Sequence, residues 1–150
     1  MLSKKTGQLY TSYYVFPQFL SSVPADVLAK AISRLESVDL RRTDPTPDQA
    51  QSIFTKIADC EHLKLTELEI GWNNLSSVSA DVLAKATSRL KTVGLTRTDL
   101  TPEQVQRIFQ KIANCGNLKL TKLQFSQNNL SSVPADVLVK AKSRLDRPWF

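Results

Sequence analysis

Apolar and polar residues alternate in short stretches that recur along the chain. In the segment LTELEI, which begins at Leu65, apolar residues stand at the first, fourth and sixth positions. Alternation with a period of two predicts a short strand in which Leu68 and Ile70 face the core while Glu67 and Glu69 face outward. The segment LKTVGL has the same pattern 25 residues later (90 − 65 = 25). We therefore expect several such strands.

Apolar residues at helical spacing follow these strands. The segment TPEQ, which begins at Thr101, predicts a helix start with threonine as the N-cap, proline at the first position and Gln104 reaching back to the cap. The apolar stripe of this helix is Val105, Ile108, Phe109 and Ile112. The segment TPDQ at Thr46 is followed by an equivalent stripe, Ile53, Phe54 and Ile57. A shorter helix between them is predicted from Val82, Leu83, Ala86 and Leu90.

The whole pattern is an internal repeat. Leu20, Leu75 and Leu130 stand at equal intervals (75 − 20 = 55, 130 − 75 = 55), and the register holds from Leu35 to Arg144 without a gap. Each interval contains a shorter and a longer strand–helix unit (90 − 65 = 25, 120 − 90 = 30). A single unit cannot bury its apolar side, whereas stacked units share one core. The repetition therefore predicts a stack.

The strand template, L-x-x-L-x-L-x-x-N-x-L with a period in the twenties, resembles the leucine-rich repeat, and the alternating unit lengths resemble the ribonuclease-inhibitor-like and NOD-like-receptor type. The resemblance implies an α/β solenoid, a right-handed β-α superhelix with a parallel sheet on the concave face and helices on the convex face. The chain departs from the pattern by carrying Thr43 and Thr98 at alternate asparagine positions. Asn73 is expected to bond backbone groups of the neighbouring turn, and Thr98 to do so less well.

We expect residues 1–150 to form a single leucine-rich-repeat domain. Residues 1–19 would be a degenerate N-terminal strand or cap, residues 20–144 the alternating repeats, and residues 145–150 a truncated terminal repeat. The apolar template positions of the first strand are Tyr10, Tyr13 and Val15. In the terminal repeat Pro148 fits only an edge strand, because proline cannot donate to a sheet ladder.

Composition and cysteine usage narrow the compartment. With 41% hydrophobic and 23% charged residues the chain is typical of a globular protein, and no apolar run reaches the roughly 18 residues of a membrane span. Two repeat steps should separate Cys60 and Cys115 beyond the ~7 Å reach of a disulfide, so both are predicted to be buried thiols. Unpaired cysteines favour a reducing, cytoplasmic location. A secreted or cell-surface location is the alternative, in which Asn74 and Asn129 would be glycan acceptors.

Residues for catalysis are few. His62 is the one histidine, and no nucleophile or orienting group is predicted beside it. Phosphate-binding loops and metal-ligand spacings are lacking as well. We therefore predict a protein that is not an enzyme and that uses neither a cofactor nor a metal.

The copies within the chain can be compared with one another, and their differences collect at outward strand positions. Asp39 becomes Gly94 and Glu69 becomes Gln124, whereas helix residues such as Lys85 are repeated. The predicted partner-binding residues are Ser37, Asp39, Arg41, Arg42, Glu67, Glu69, Trp72, Arg97, Lys122, Gln124 and Gln127. They would hold a protein or peptide on the concave strand face, with Trp72 as anchor and the charges setting register. Drift of unselected surface positions is the competing interpretation.

Several functions stay open. The resemblance to receptor repeats implies a scaffold or ligand-sensing role in innate immunity. Alternatives are inhibition of a nuclease or another enzyme, and binding of an anionic polymer through Lys/Arg columns on the convex side, which the net charge of +6 would favour. A nucleic-acid groove is disfavoured because the chain has no basic run with interleaved aromatics. The oligomeric state is open, and edge-to-edge association of the sheet is one option.

Overall fold

The computed structural model describes the backbone of residues 2–5, 8–14 and 20–150, and the side chains of residues 20–146 and 148–150. The chain is an α/β protein in which, from the second strand onward, strands and helices alternate. The strands are β1 (Leu2–Lys5), β2 (Gln8–Tyr14), β3 (Ser37–Asp39), β4 (Glu67–Glu69), β5 (Thr92–Gly94), β6 (Lys122–Gln124) and β7 (Arg147–Trp149). The helices are α1 (Ala25–Ser33), α2 (Pro47–Asp59), α3 (Ala80–Arg89), α4 (Pro102–Asn114) and α5 (Ala135–Ser143).

All strands form one sheet whose order follows the chain. From β2 to β7 the strands are parallel, as expected when each connection carries a helix across one face. The register places equivalent residues side by side, so that Val38 lies beside Leu68, and Val93 beside Leu123. Side chains of equivalent positions therefore form continuous rows across the sheet.

The first strands contain one feature that the sequence pattern did not predict. β2 pairs with β3 and places Tyr13 beside Val38, but β1 folds back on β2 in the antiparallel sense. Val15, which we assigned to the first strand, lies outside the described residues. At the other end β7 is the edge strand and contains Pro148, as predicted.

The core lies between the sheet and a single layer of helices. Each helix packs on the next one along the chain. The inward strand residues Leu68, Ile70, Leu95 and Leu123 are all 0% exposed. The predicted apolar stripes of α2 and α4 are buried too, and in α3 only Val82 is less than fully buried. Both layers therefore share one continuous interior.

The long helices begin where the sequence predicts, and the residue that completes each cap also joins two units. Thr101 Oγ1 accepts from Gln104 N at 3.2 Å, and Gln104 Oε1 accepts from Thr101 N at 2.8 Å. The amide Nε2 of Gln104 then donates to Leu75 O at 2.8 Å and Val78 O at 2.7 Å, both in the preceding unit. Gln49 repeats all these contacts one interval earlier. The buried glutamine satisfies carbonyls that packing removes from water.

Asparagine and threonine perform different tasks at the ends of the strands, as expected. Asn73 Nδ2 donates to Leu40 O at 2.8 Å and to Ile70 O at 2.9 Å, and its Oδ1 accepts from Asp44 N at 2.9 Å. The side chain of Thr98 bonds only within its own turn, with Oγ1 donating to Leu95 O at 2.9 Å. Asparagine therefore links adjacent units through its side chain, whereas threonine only closes its own turn.

Repeated basic residues of the helix layer, which the polymer-binding alternative would use, also form hydrogen bonds to neighbouring units. Arg89 donates from Nη1 to Ile57 O at 2.5 Å and to Ala58 O at 3.0 Å, and from Nη2 to Cys60 O at 2.7 Å. It thereby caps the C-terminal carbonyls of α2, where a cation also complements the helix dipole. Arg144 reaches α4 in the same way.

The neighbouring lysines also bond across units. Lys85 Nζ lies 3.4 Å from Asp59 Oδ1, and Lys140 Nζ donates to Asn114 Oδ1 at 3.1 Å. Both contacts are exposed, so each adds little stability on its own. In the second and third copies the repeated cations therefore have structural partners, which account for their recurrence there without an external ligand.

No helix in the described ranges is long and apolar enough to cross a membrane. Cys60 and Cys115 are unpaired, as predicted. They are half-exposed rather than buried, because each stands at the C-cap of a long helix, where the chain leaves the helix layer.

Candidate partner-binding face

The candidate site is the strand face, which we define as the outward side chains of β3 to β6 and of the turns that directly follow them. All of the predicted partner-binding residues lie on it. The exposed ones are Arg41, Arg42, Glu67, Arg97, Lys122 and Gln127. The half-buried ones are Ser37, Asp39, Glu69, Trp72 and Gln124. No helix covers this face within the described part of the chain, so its side chains are open to solvent.

Trp72 lies between two arginines at the end of the strands. The guanidinium carbon of Arg42 is 4.5 Å from the centroid of the indole, and that of Arg97 is 5.1 Å from it. The three residues occupy equivalent positions in consecutive units. A cation over an indole face is stabilised by about 0.5–1 kcal/mol when exposed. The stack therefore holds the indole and both charges in a defined arrangement.

The backbone contributes to this arrangement. Arg42, Trp72 and Arg97 have φ values of 56°, 62° and 51°, and Gln127 in the next unit has 60°. These values lie in the left-handed region, which costs a residue other than glycine roughly 1 kcal/mol or more. The backbone amide of Trp72 donates to Thr96 O at 2.8 Å, and that of Arg97 to Ser126 O at 3.0 Å. Bonds between neighbouring turns therefore stabilise the conformation that turns these side chains outward.

Neither Arg42 nor Arg97 has a carboxylate within ion-pair distance among the residues that the structure describes. Most of the hydrogen-bonding capacity of their guanidinium groups thus stays directed to solvent. A planar guanidinium suits carboxylates and phosphates because its donors form a fixed fork. The rim of the strand face therefore offers an aromatic surface and two anion-binding groups at once.

A second cluster, of opposite sign, lies further back on the strands. Asp39 accepts from Arg41 Nε at 2.9 Å and from Arg41 Nη2 at 2.6 Å. Burial raises the pKa of Asp39, but the hydrogen bonds and charge of Arg41 outweigh it, so that its pKa lies below the ordinary value. Glu69 lies beside Asp39 across the ladder, and Glu67 is two residues earlier on the same strand. The strand face is thus acidic on β3 and β4 and basic at its rim.

Glu69 is seated in a space that a glycine leaves open. A Cβ built on Gly94 would lie 1.8 Å from Glu69 Oε2, so the carboxylate occupies the volume of the missing side chain. Burial raises the pKa of Glu69, and the negative charges of Asp39 and Glu67 add to this effect, while Arg41 opposes it. Gly94 is consequently buried rather than displayed. Comparison of the copies showed that Asp39 becomes Gly94, but only the structure shows which side chain uses the space.

Sequence reasoning missed Trp149. Trp149 is 53% exposed and lies in β7, where its backbone pairs with Gln124 of β6. With Thr92, Lys122 and Gln124 it lines a depression of about 80 Å³ on the strand face. The sequence could have indicated this residue. Pro148 falls at an inward position of the strand template, and residues alternate sides along a strand, so Trp149 must face outward.

The other chemistry-bearing residues do not gather into a site. His62 is exposed in a turn, and no group of three potential metal ligands occurs among the described side chains. Grooves exist in the helix layer, the larger of about 480 Å³ between α1 and α2, lined mainly by polar residues. The arrangement best suited to recognition is therefore the strand face, with its stack of Arg42, Trp72 and Arg97.

Fold and site together define an α/β protein with a parallel sheet that displays a charged, aromatic face. No known family profile matches the chain, and neither the curated proteins nor the solved structures include a significantly similar one. The internal copies of the chain are therefore the comparison that informs function.

Proposed function

We propose that the chain is a non-enzymatic leucine-rich-repeat module that binds a protein or peptide on its strand face. The observation that carries the proposal is Trp72 between Arg42 and Arg97 on the uncovered side of the sheet. Tryptophan and arginine are the residues that most often dominate binding energy at protein interfaces. Because the stack holds these side chains in place, less conformational entropy would be lost on binding.

The leucine-rich-repeat assignment is supported by three features. The strand template recurs with a regular period, equivalent residues stand side by side in a parallel sheet, and Asn73 and Asn128 bond the preceding unit. A solenoid of this kind would place the strand face on the inside of a curve. A crystal structure with helices on both sides of the sheet would contradict it.

The charge pattern suggests the composition of the partner. A basic side chain would lie over Glu67 and Glu69, and an acidic side chain or a carboxyl terminus would reach Arg42 or Arg97. An extended peptide with both charges would match the strand face in one direction only, because like charges would meet in the reverse direction. By analogy with receptor repeats, we propose ligand sensing in innate immunity as the role of such binding, in the cytoplasm.

The test is selection of peptides from a random displayed library on the immobilised wild-type chain. We expect selected peptides to be enriched in basic residues and to contain an acidic residue or a free carboxyl terminus. Their affinity should fall at least tenfold in Trp72→Ala and in Glu69→Lys, measured by calorimetry, because hot-spot losses are about 2 kcal/mol or more.

Gln110→Ala is the control, since it replaces an exposed side chain of the helix layer, away from the strand face. It should leave the affinity within about twofold. Thermal unfolding of each variant verifies that the fold is retained. Selected peptides that bind Trp72→Ala and Glu69→Lys as well as the wild type would contradict the proposal, and so would a selection that yields no binder.

The alternatives have less support. Polymer binding through the helix layer would use Arg89, Arg144 and Lys85, whose side chains bond neighbouring units. It predicts an affinity that falls steeply with salt. Enzyme inhibition predicts loss of ribonuclease activity at micromolar concentrations of the chain, which a nuclease assay measures directly.

A further inference from the structure

The last helix exposes a face that its counterparts bury. Ala29 in α1, Ala84 in α3 and Val139 in α5 occupy equivalent positions (84 − 29 = 55, 139 − 84 = 55). The two alanines are 4% and 5% exposed, whereas Val139 is 68% exposed. Leu138 is half-buried, although Leu83 at the same position of α3 is 0% exposed. The face of α5 therefore has an apolar surface without a neighbour in the described chain.

The equivalent faces of α1 and α3 are each covered by the long helix that follows in the chain. α1 packs on α2, and α3 packs on α4. In both pairs the covering element is a long amphipathic helix that begins with a Thr-Pro-x-Gln capping box. The element that would cover the α5 face can therefore be inferred from the α1–α2 and α3–α4 interfaces.

Polar groups on α5 and on the turn before it fit the same occupant. Gln49 and Gln104 each donate to two carbonyls of the preceding turn, which for Gln104 are Leu75 O and Val78 O. The equivalent carbonyls before α5 belong to Leu130 and Val133 (130 − 75 = 55, 133 − 78 = 55). In the described residues no side-chain donor reaches either of them. A glutamine supplied from outside would satisfy both.

An acidic residue of α5, Asp136, also lacks the ion pair that its counterpart in α3 makes. Asp81 at the start of α3 pairs with Arg107 of α4. Its equivalent in α5 is Asp136, which is exposed and has no cation within ion-pair distance in the part of the chain that the structure describes. A basic residue six positions after the capping threonine of an incoming helix would take the place of Arg107.

We propose that the open face of α5 binds an amphipathic helix that begins with a Ser/Thr-Pro-x-Gln capping box and carries a basic residue six positions after the capping Ser/Thr. Val139 and Leu138 would meet its apolar stripe. Leu130 O and Val133 O would accept from its glutamine, and Asp136 would pair with its cation. This surface is separate from the strand face, so both surfaces could be occupied at once.

The probe is a fluorescent synthetic peptide with the sequence of residues 100–114, LTPEQVQRIFQKIAN, titrated with the full chain and followed by anisotropy. An isolated helix of this length is marginally stable in water, so a side-chain-crosslinked helical version is measured in parallel. We expect saturable binding, tighter for the crosslinked peptide. A Gln104→Ala peptide should bind about 25-fold more weakly, since it loses two buried hydrogen bonds of about 1 kcal/mol each and every 1.4 kcal/mol is tenfold in affinity.

Variants of the chain locate the binding surface. Val139→Asp should weaken binding at least tenfold and leave thermal stability unchanged, because the replaced valine is exposed. Val27→Asp in α1 is the matched control, since Val27 is also an exposed helical valine, 53% exposed, and the variant should bind within twofold of the wild type.

Three results would overturn the proposal. They are failure of both peptides to bind at millimolar concentration, equal binding by Val139→Asp, and equal binding of the Gln104→Ala peptide. Sedimentation velocity of the chain alone tests a second copy as occupant. Self-association that Val139→Asp abolishes and the peptide does not compete with would assign the face to a dimer and would also reject the proposal.

Discussion

The helix layer and the strand face differ in how closely the copies of the internal repeat resemble each other. In the helix layer and the turns that lead into it, repeated residues bond equivalent carbonyl groups of the preceding unit, as Gln49 and Gln104 do, and as Arg89 and Arg144 do with Ile57 O and Ile112 O. On the strand face the copies differ, and the side chain of Trp72 packs on arginines without bonding the backbone of another unit. Repetition thus marks the residues that join units, while divergence marks residues that the fold does not need.

This difference separates two kinds of mutational effect. A substitution in the helix layer should lower the free energy of unfolding, because it leaves carbonyl groups unpaired. A substitution on the strand face should leave folding nearly unchanged and alter only binding. Each prediction below tests one side of that division.

The largest effect is expected for Gln104→Ala. The substitution removes the hydrogen bonds of Gln104 to Thr101 N, Leu75 O and Val78 O in a buried region, and of these Leu75 O keeps only its bond from Val78 N. At about 1 kcal/mol for each bond, we expect the free energy of unfolding to fall by about 3 kcal/mol in urea denaturation. Gln110→Ala on the exposed side of the same helix is the control, with a change within about 0.5 kcal/mol. Equal effects of the two would contradict the inter-unit role of Gln104.

A smaller effect is expected for Asn73→Thr. Threonine can keep the bond to Ile70 O, as Thr98 does to Leu95 O, but it loses those to Leu40 O and Asp44 N. Two lost bonds should lower the free energy of unfolding by about 2 kcal/mol. The same exchange at exposed Asn117 should change it by less than about 0.5 kcal/mol. A stability equal to that of the wild type would show that asparagine is not required at this position.

The sequence predicted most of the scaffold, because the signals were local and repeated. The capping box at Thr101 and the inward Leu68 follow from residue type and spacing, and both were found. Long-range contacts were harder, since nothing local indicates that Arg89 reaches Cys60 or that Glu69 lies over Gly94. These contacts depend on how one unit is placed against the next.

The site was predicted only in outline for the same reason. Comparison of copies identified the outward residues, and it placed Trp72 beside Arg42 and Arg97. It could not show the stacking distances or the exposure of Trp149. It also could not distinguish Arg89 from a surface cation, because a side chain that bonds carbonyl groups of another unit has the same sequence signature as one in water.

Arg89→Ala should distinguish these two kinds of arginine. The substitution leaves three carbonyl groups at the end of α2 without their donor and removes a cation from the negative end of the helix. Because these bonds are partly exposed, we expect a loss of about 1–2 kcal/mol in the free energy of unfolding. Arg97→Ala on the strand face should cost no more than about 0.5–1 kcal/mol, the value of an exposed cation–π contact. The reverse order in urea denaturation would reject the division between helix layer and strand face.

The smallest expected effect concerns the charge of Glu69. Its pKa is raised, so the folded state favours the protonated form, and ionisation opposes folding as the pH rises above the ordinary value of 4.5. Asp39 has a lowered pKa, so its contribution is present above its ordinary value of 3.8 and is lost as the pH falls. Relative to Glu69→Gln, the wild type should therefore become less stable as the pH rises through the folded pKa of Glu69. Relative to Asp39→Asn, it should become less stable as the pH falls.

Carboxyl carbon NMR titration measures both groups directly. The midpoint of Glu69 should lie above 4.5 and move further up in Arg41→Ala, since Arg41 is the charge that lowers it. Gly94→Ala should move the midpoint of Glu69 toward its ordinary value, because the added methyl group displaces the carboxylate from its partly buried seat toward water. A midpoint at or below 4.5 in the wild type would show that the carboxylate is not held in that seat. A raised midpoint would mean that the strand face keeps a charge in place at some cost to folding, in contrast to the helix layer, whose repeated polar residues stabilise the fold.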